Sequence, residues 1–245
     1  MLDPLKTMNP DSPAPFGAPI LAPILAIDTC GPSGSVALGR LAGRDLEILG
    51  QLELAGRTYS ATLVSAVAEL LSSAGAAIAD LGGIVAVHGP GSFTGVRVGL
   101  SGVKGLAQGG DIPVVPLSRL LVLARKAGVP SAAIDAQRGE LFLRLEITGK
   151  DPVEMLAGPA ELATLAPPVR IAVCDEAAAA LLASAWPSTQ LVRTAPPLAS
   201  DALRLGESRL VAGAAVDLAL LDGHYLRRSD AEIFSNPILA ERRPR

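Results

Sequence analysis

The seven residues Gly89-Pro90-Gly91-Ser92-Phe93-Thr94-Gly95 form a glycine-rich turn between a strand-like and a helix-like segment. Upstream, 84–87 is a short run of Ile, Val and Ala; downstream, 96–108 carries apolar residues at helical spacing. The first amides of a helix lack internal partners, and glycine lets the backbone approach a ligand. The stretch therefore predicts either a tight turn with Ser92 or Thr94 as the helix N-cap, or an anion site.

Two common nucleotide motifs are absent from this turn. Thr94 stands where a P-loop requires its second glycine, and no Lys-Ser or Lys-Thr pair follows. The glycines at 89, 91 and 95 also miss the G-x-G-x-x-G interval of dinucleotide-binding folds. The sequence of the turn therefore does not indicate which anion it would bind.

The segments around the turn alternate in a definite order. The first half predicts a β-β-β-α-β-α-β series, with strands at 24–28, 35–39, 46–54, 84–87 and 113–115, and helices at 60–74, capped by Ser60, and 96–108. The second half repeats this plan more loosely, with a hairpin of 132–136 and 140–147, strands at 169–174 and 191–193, and helices at 176–185 and 202–212. Prolines interrupt the second half and weaken its boundaries.

Composition excludes several classes of protein. Of the 245 residues, 49% are hydrophobic and only 3% aromatic, so the core consists mainly of aliphatic side chains. A formal net charge of −3 argues against the extended basic surface that strong nucleic-acid binding needs. Two distant cysteines suggest no disulfide framework, and no apolar run is long enough to cross a membrane. We expect a cytoplasmic protein.

Several short motifs together resemble the TsaB (also called YeaZ) family. They are Ile24-Leu25-Ala26-Ile27-Asp28-Thr29-Cys30, Ser35-Val36-Ala37-Leu38, the turn 89–95 continuing to Ala107, Pro116-Leu117-Ser118, Ala133-Ile134-Asp135-Ala136-Gln137-Arg138-Gly139-Glu140 and Tyr225-Leu226-Arg227. The resemblance covers residues 24 to about 234. It implies an α/β protein with the actin/hexokinase/Hsp70-like (ASKHA) fold, made of two ribonuclease-H-like subdomains of which the second is reduced.

The resemblance also implies a division of the chain. Residues 23–118 are expected to form the N-terminal ribonuclease-H-like subdomain, and 119–245 a smaller C-terminal one with a basic tail. Residues 1–22 are rich in proline and read as a flexible leader.

In this superfold, turns that follow the first strand of each half hold phosphates. Asp28 and Thr29, with Gly89, Gly91, Ser92, Thr94 and Gly95, are predicted to form a vestigial nucleotide or anion loop. In the second half, Ala136 and Gln137 replace the glycine and hydroxyl residues of functional ATPases. The resemblance therefore implies no cofactor and no catalytic residue, and it leaves weak nucleotide binding open.

Metal chemistry finds little support in the residue types. The chain has only two histidines, His88 and His224, and no paired-histidine motif. No metal site is predicted.

Helix 96–108 and the helix before it form a candidate surface for binding another protein chain. Glycines recur at 95, 99, 102, 105 and 109, and each interior helical glycine costs roughly 1 kcal/mol relative to alanine. Either the glycine stripe packs closely on the chain's own sheet, or it admits a helix of another chain. The family resemblance implies a partner surface, which we assign to Leu63, Val64, Val67, Gly95, Gly99 and Gly102.

Taken together, the resemblance implies a non-catalytic scaffold in tRNA modification. Such a subunit supports TsaD, together with TsaE, in forming N6-threonylcarbamoyladenosine next to the anticodon, and it contacts tRNA only indirectly through the complex. In isolation it is expected to form a homodimer, without membrane association. The alternatives are a stand-alone ATPase or sugar-kinase-like enzyme of the same superfold, which ATP turnover would reveal, and a metallopeptidase, which bound metal would reveal.

Overall fold

The computed structural model describes residues 22–42, 45–55, 59–147 and 149–227. The predicted leader lies outside these residues except for its last position, and so does the basic terminus from Arg228 onward.

The first half forms one five-stranded sheet. Its strands are β1 (Ile24–Asp28), β2 (Gly34–Ala42), β3 (Asp45–Leu54), β4 (Gly83–Val87) and β5 (Val114–Leu117), in the spatial order β3-β2-β1-β4-β5. The first three form an antiparallel meander, and β4 and β5 run parallel to β1. Every residue of β1 and β4 is buried, because helices cover both faces of the sheet.

Three helices pack on this sheet. They are α1 (Tyr59–Ser73), α2 (Phe93–Gly110) and α6 (Ala199–Val211). Gly99 of α2 approaches Ile27 of β1, and Gly206 of α6 approaches Val85 of β4. Val85 is paired with Ala26, so these two side chains lie on the same face of the sheet, whereas the side chain of the next residue, Ile27, lies on the other face. Helices α2 and α6 therefore cover opposite faces.

The second half repeats the topology of the first. After α3 (Arg119–Lys126) come β6 (Ser131–Asp135), β7 (Leu141–Leu145), β8 (Val153–Ala157), α4 (Pro159–Leu162), β9 (Arg170–Val173), α5 (Glu176–Ala185) and β10 (Gln190–Arg193). The sheet order β8-β7-β6-β9-β10 matches that of the first sheet strand for strand. Its strands have only 4 or 5 residues. The predicted duplicated ASKHA fold, with a reduced second half, is confirmed.

Several details of the predicted elements were wrong, and the short helix α4 was not predicted either. Helix α3 was not predicted, because residues 119–124 are all buried and the segment lacks the polar face that marks a helix in sequence. Strand β8 was missed because prolines at 152 and 159 flank it. Ser60 is not an N-cap, because α1 already includes Tyr59.

Helix α6 also departs from the predicted division at residue 118. The sequence places it in the C-terminal subdomain, but its buried residues Ala199, Ala202, Leu203 and Leu210 belong to the core cluster of the first sheet. The chain thus returns to its first half after completing the second. This return closes the face of the first sheet opposite α1 and α2.

Candidate functional site

A cleft of about 820 Å³ lies between the two halves. The ends of β1, β6 and β9 contribute Cys30, Asp135 and Cys174. The 89–95 turn contributes residues 90–95, and residues 224–227 close one side. In parallel arrangements of this kind, ligands bind beyond the carboxyl ends of the strands. The cleft is therefore the candidate ligand site of the molecule.

The 89–95 turn is packed tightly against the end of β1. The Ser92 amide donates to the Cys30 carbonyl over 2.9 Å, and the Ser92 hydroxyl caps α2 by accepting from the Gly95 amide over 3.3 Å. A Cβ at Gly91 would overlap the Cys30 carbonyl oxygen, and one at Gly95 would overlap that of Thr29. The predicted capped turn is confirmed with Ser92, not Thr94, as its cap.

Asp28 is buried beneath this turn, with both carboxylate oxygens in use. Oδ1 accepts the Cys30 amide over 2.8 Å, and Oδ2 accepts Nε of Arg119 over 3.3 Å. Burial opposes the charge on Arg119, but the Asp28 carboxylate outweighs it and the pKa of the guanidinium is raised. The carboxylate is thus satisfied inside the protein. Arg119 was missed in the sequence because it comes from α3, the helix that was not predicted.

The corresponding acid of the second half is Asp135, at the end of β6. Its Oδ1 accepts the Gln137 amide over 2.9 Å, and its Oδ2 accepts the Gln137 side-chain nitrogen over 2.5 Å. Gln137 and Arg138 have left-handed backbone angles of 63° and 61° in φ, which are uncommon outside glycine. Asp175 follows β9, caps α5 through the Ala178 amide over 2.7 Å, and accepts the Asp135 amide over 3.0 Å.

The two histidines stack on each other beside the cleft, with ring centroids 5.4 Å apart. Nδ1 of His88 lies 3.1 Å from the Asp222 carbonyl, and Nε2 of His224 lies 2.9 Å from Oε2 of Glu154. Among the residues that the structure describes, no three His, Cys, Asp or Glu side chains converge as metal ligands would.

Glu154, on β8, is the centre of a polar network that the sequence did not reveal. Besides the His224 contact, its carboxylate accepts the Ser118 hydroxyl over 2.6 Å and Nη1 of Arg144 over 2.8 Å. Burial raises the pKa of Glu154, but the hydrogen bonds from His224, Ser118 and Arg144 outweigh burial and lower it. The network ties β8 to the start of α3 and to the chain near residue 224.

Residues 225–227 cross the mouth of the cleft. The Tyr225 ring stacks on Phe93 at the start of α2, with centroids 4.8 Å apart, and the Arg97 guanidinium lies 5.2 Å from the Phe93 centroid. Arg227 forms an ion pair with Glu140 and donates to the Gln137 carbonyl over 3.3 Å. The segment therefore connects α2 of the first half with the β6–β7 turn of the second.

The glycine stripe of α2 faces its own chain. A Cβ at Gly99 would overlap the Thr29 hydroxyl, and one at Gly102 would lie 2.8 Å from Cδ2 of Leu63 in α1. Of the residues predicted for a partner surface, Leu63, Val67, Gly95 and Gly99 are buried in the chain's own core. This corrects their assignment, because a buried residue offers no surface to a partner. Val64 is 69% exposed.

Comparison with known proteins assigns the chain to a family. The sequence model of the TsaD family, described as tRNA N6-adenosine threonylcarbamoyltransferase, matches residues 53–188, more than half of the chain. The chain belongs to the TsaD family. Its relatives include proteins of Escherichia coli and Haemophilus influenzae, both named tRNA threonylcarbamoyladenosine biosynthesis protein TsaB, which are 37% and 38% identical to it over 125 residues.

The extent of these TsaB and YeaZ similarities differs between sequence and structure. The sequence matches cover 49% of this chain and 52% and 51% of the two relatives, so the chain spans about half the length of the curated relatives it matches. A solved Pseudomonas aeruginosa structure, described as similar to the peptidase YeaZ, is 27% identical with a TM-score of 0.69, and covers 84% of this chain and 100% of that chain. The resemblance to the TsaB (YeaZ) family is confirmed.

The motifs that carried the TsaB resemblance now have locations. The 24–30 segment and the 89–95 turn pack on each other, and residues of the segments 133–140 and 225–227 line the cleft. The segment 116–118 comes directly before Arg119, which also lines it. In the described part of the chain, no helix has both the length and the apolar character needed to span a bilayer.

Glu154 should set part of the acid sensitivity of this TsaD-family chain. Because its pKa is lowered from 4.5 in the folded protein, its stabilising contribution is complete above that unfolded-state value and is lost as the pH falls through the folded one. We expect Glu154→Gln to be less stable near neutral pH, and to lose stability less steeply than the unsubstituted protein on acidification. Urea unfolding across a pH series measures both, and parallel pH profiles would contradict the expectation.

Proposed function

We propose that this chain is a non-catalytic scaffold subunit of the machinery that forms N6-threonylcarbamoyladenosine in tRNA. In this role it binds and supports TsaD, together with TsaE, while TsaD transfers the threonylcarbamoyl group from threonylcarbamoyl-AMP to the exocyclic amine of the adenosine next to the anticodon. The names of the TsaB relatives support the pathway. The observation that carries the non-catalytic role is the buried Asp28–Arg119 ion pair.

The ion pair bears on catalysis because of what a magnesium nucleotide needs. Mg²⁺ is usually held by one or two carboxylates together with phosphate oxygens. Asp28 instead accepts Arg119 and the Cys30 amide, and Asp135 accepts two nitrogens of Gln137. Both acids at the strand ends are therefore engaged within the chain. A stand-alone ATPase or sugar-kinase-like enzyme would have to break these contacts to bind its metal.

Reconstitution with purified components tests this function. We expect the isolated chain to hydrolyse no ATP above background and to modify no tRNA, whereas adding it to TsaD and TsaE should raise tRNA modification at least tenfold. Asp28→Asn serves as the matched variant, because it removes the charge but keeps the shape. Turnover by the isolated chain that Asp28→Asn abolishes would establish the alternative enzyme, and unchanged modification when the chain is omitted would refute the scaffold role.

The exposed face of α1 and α2 offers the surface for such a partner. Val64 stands out from α1, and Gly105 and Gly109 on α2 would meet no atom within 4 Å if they carried a Cβ. Positions 98, 102, 105 and 109 follow one another on one side of α2, the side on which Gly102 meets α1. This open end of the glycine stripe, together with the exposed Val64 of the neighbouring helix, is the part that a second helix could approach. We assign both self-association and TsaD binding to it.

Val64→Glu should weaken this contact. Burying an unpaired carboxylate at an interface is unfavourable, so we expect association to weaken at least about tenfold, which corresponds to 1.4 kcal/mol. Val169→Glu is the control, because Val169 is an even more exposed valine, at 84%, in the second half. Analytical ultracentrifugation of both variants, alone and with TsaD, gives the affinities. Equal weakening by the two variants, or by neither, would place the interface elsewhere.

A further inference from the structure

The guanidinium of Arg119 is a buried charge with donors left over. The residue is only 4% exposed and lines the cleft. Its Nε donates to Asp28, and within the described residues no hydrogen bond is seen from its two amino groups, Nη1 and Nη2. Arg119 is part of the cleft lining, and arginine amino groups match the geometry of an oxyanion. The unused donors therefore indicate an anion in the cleft.

A second set of donors lies at the same corner. The amides of Phe93 and Thr94, in the first turn of α2, have no acceptor in the described part of the chain. Helix α2 has 18 residues, so its amino end carries a substantial partial positive charge. Arg119 packs so closely on Gly31 that a Cβ there would overlap Nη2. The Ser92 amide, just before α2, donates to the carbonyl of Cys30, the residue before Gly31. The guanidinium and the amino end of α2 therefore both lie next to the Cys30-Gly31 segment.

The surroundings restrict what the anion can be. Asp28 lies directly against Arg119, and Asp135 and Asp175 line the facing wall of the cleft. The three carboxylates outnumber the two guanidiniums of the lining, Arg119 and Arg227, and this balance disfavours a polyphosphate, whose several charges would be repelled. The remaining walls are largely apolar and include Val98, Ile134, Phe142 and Leu226. A singly charged head group on an apolar body satisfies both parts of the lining.

We propose that the cleft binds a small-molecule carboxylate with an apolar body, whose oxygens accept from the amino groups of Arg119 and from the first amides of α2. The Asp28–Arg119 pair that argues against metal and nucleotide chemistry is, in this view, the positioning device of the site: Asp28 holds Nε and directs the amino groups toward the cleft. The proposal goes beyond the scaffold function and stands or falls independently of it.

Benzoate is a suitable probe, since it joins one carboxylate to one flat apolar ring. Titration of the full chain by calorimetry should show saturable binding of benzoate and at least tenfold weaker binding of ATP. Thr94→Glu places a negative charge at the mouth of the site on an exposed position of the first helical turn, where acidic residues favour the helix. It should weaken benzoate at least tenfold more than the neutral Thr94→Gln, which has the same size, so the difference between the two variants reports the charge.

Two further variants separate the contributions. Arg119→Lys keeps the positive charge but loses the paired amino groups, so it should weaken benzoate at least tenfold if circular dichroism shows that it folds. Asp135→Asn removes one carboxylate that repels ATP, so the difference in affinity between benzoate and ATP should become smaller. No binding of benzoate, equal binding by Thr94→Glu and Thr94→Gln, or tighter binding of ATP than of benzoate would each overturn the proposal.

Discussion

Replacing Arg119 with methionine should lower the free energy of unfolding by about 3–5 kcal/mol, the cost typical of removing one partner of a buried ion pair. The substitution leaves the Asp28 carboxylate, whose side chain is 3% exposed, without its guanidinium. One hydrogen bond, from the Cys30 amide, remains to it. Equilibrium unfolding in urea, followed by circular dichroism, measures the loss.

A second substitution shows whether the loss comes from the charge. Adding Asp28→Asn to Arg119→Met removes the unpaired carboxylate, so the double variant should recover a large part of the lost stability. The two substitutions should therefore be strongly non-additive, as expected for residues in direct contact. Additive losses would mean that Arg119 stabilises the protein through packing of its side chain and not through Asp28.

Gly95→Ala is the other substitution with a large expected effect. The added Cβ would overlap the backbone oxygen of Thr29, which cannot move aside like a flexible side chain. Overpacking typically costs about 1–3 kcal/mol, and contact with backbone argues for the upper part of that range. The Thr29 hydroxyl also donates to the Gly95 carbonyl over 2.6 Å, so displacing the helix weakens that bond as well.

Gly105→Ala provides the matched control on the same helix. A Cβ at Gly105 meets nothing within 4 Å, and alanine is favoured over glycine in a helix by up to about 1 kcal/mol. Thermal unfolding should therefore show a lower midpoint for Gly95→Ala and an unchanged or higher one for Gly105→Ala. If Gly95→Ala kept full stability and altered only self-association, the glycine stripe would face a partner after all.

The order of helices and strands could be predicted from the sequence wherever the buried residues of a segment are regularly spaced along one face. Helix 176–185 and strand 24–28 were predicted with the bounds that the structure shows, since each combines apolar spacing with clear flanking turn residues. Helix α3 was not, because burial on every side removes the periodicity by which a helix is detected. The candidate site was affected by the same omission, since Arg119 is the first residue of α3.

The spacing of the glycines in α2 shows a second limit of prediction from the sequence. The sequence indicated that the stripe in α2 serves close packing, but spacing along one helix does not say which neighbour fills the space. Only the tertiary structure assigns Gly95 and Gly99 to the end of β1, and Gly102 to α1, while leaving Gly105 and Gly109 open. The predicted partner surface consequently retains Val64 but loses its buried members.

By itself, the sequence determined the duplicated α/β plan, the position of the turn at 89–95 and the family, because these depend on residues near one another along the chain. The tertiary structure decided which residues meet across long separations: Asp28 with Arg119, 91 positions apart, and Glu154 with His224, 70 positions apart. Such pairs leave no mark on local periodicity or turn chemistry, since their geometry is set by how the two sheets and the segment 224–227 pack. The cleft and its unused donors exist only because that packing brings them together.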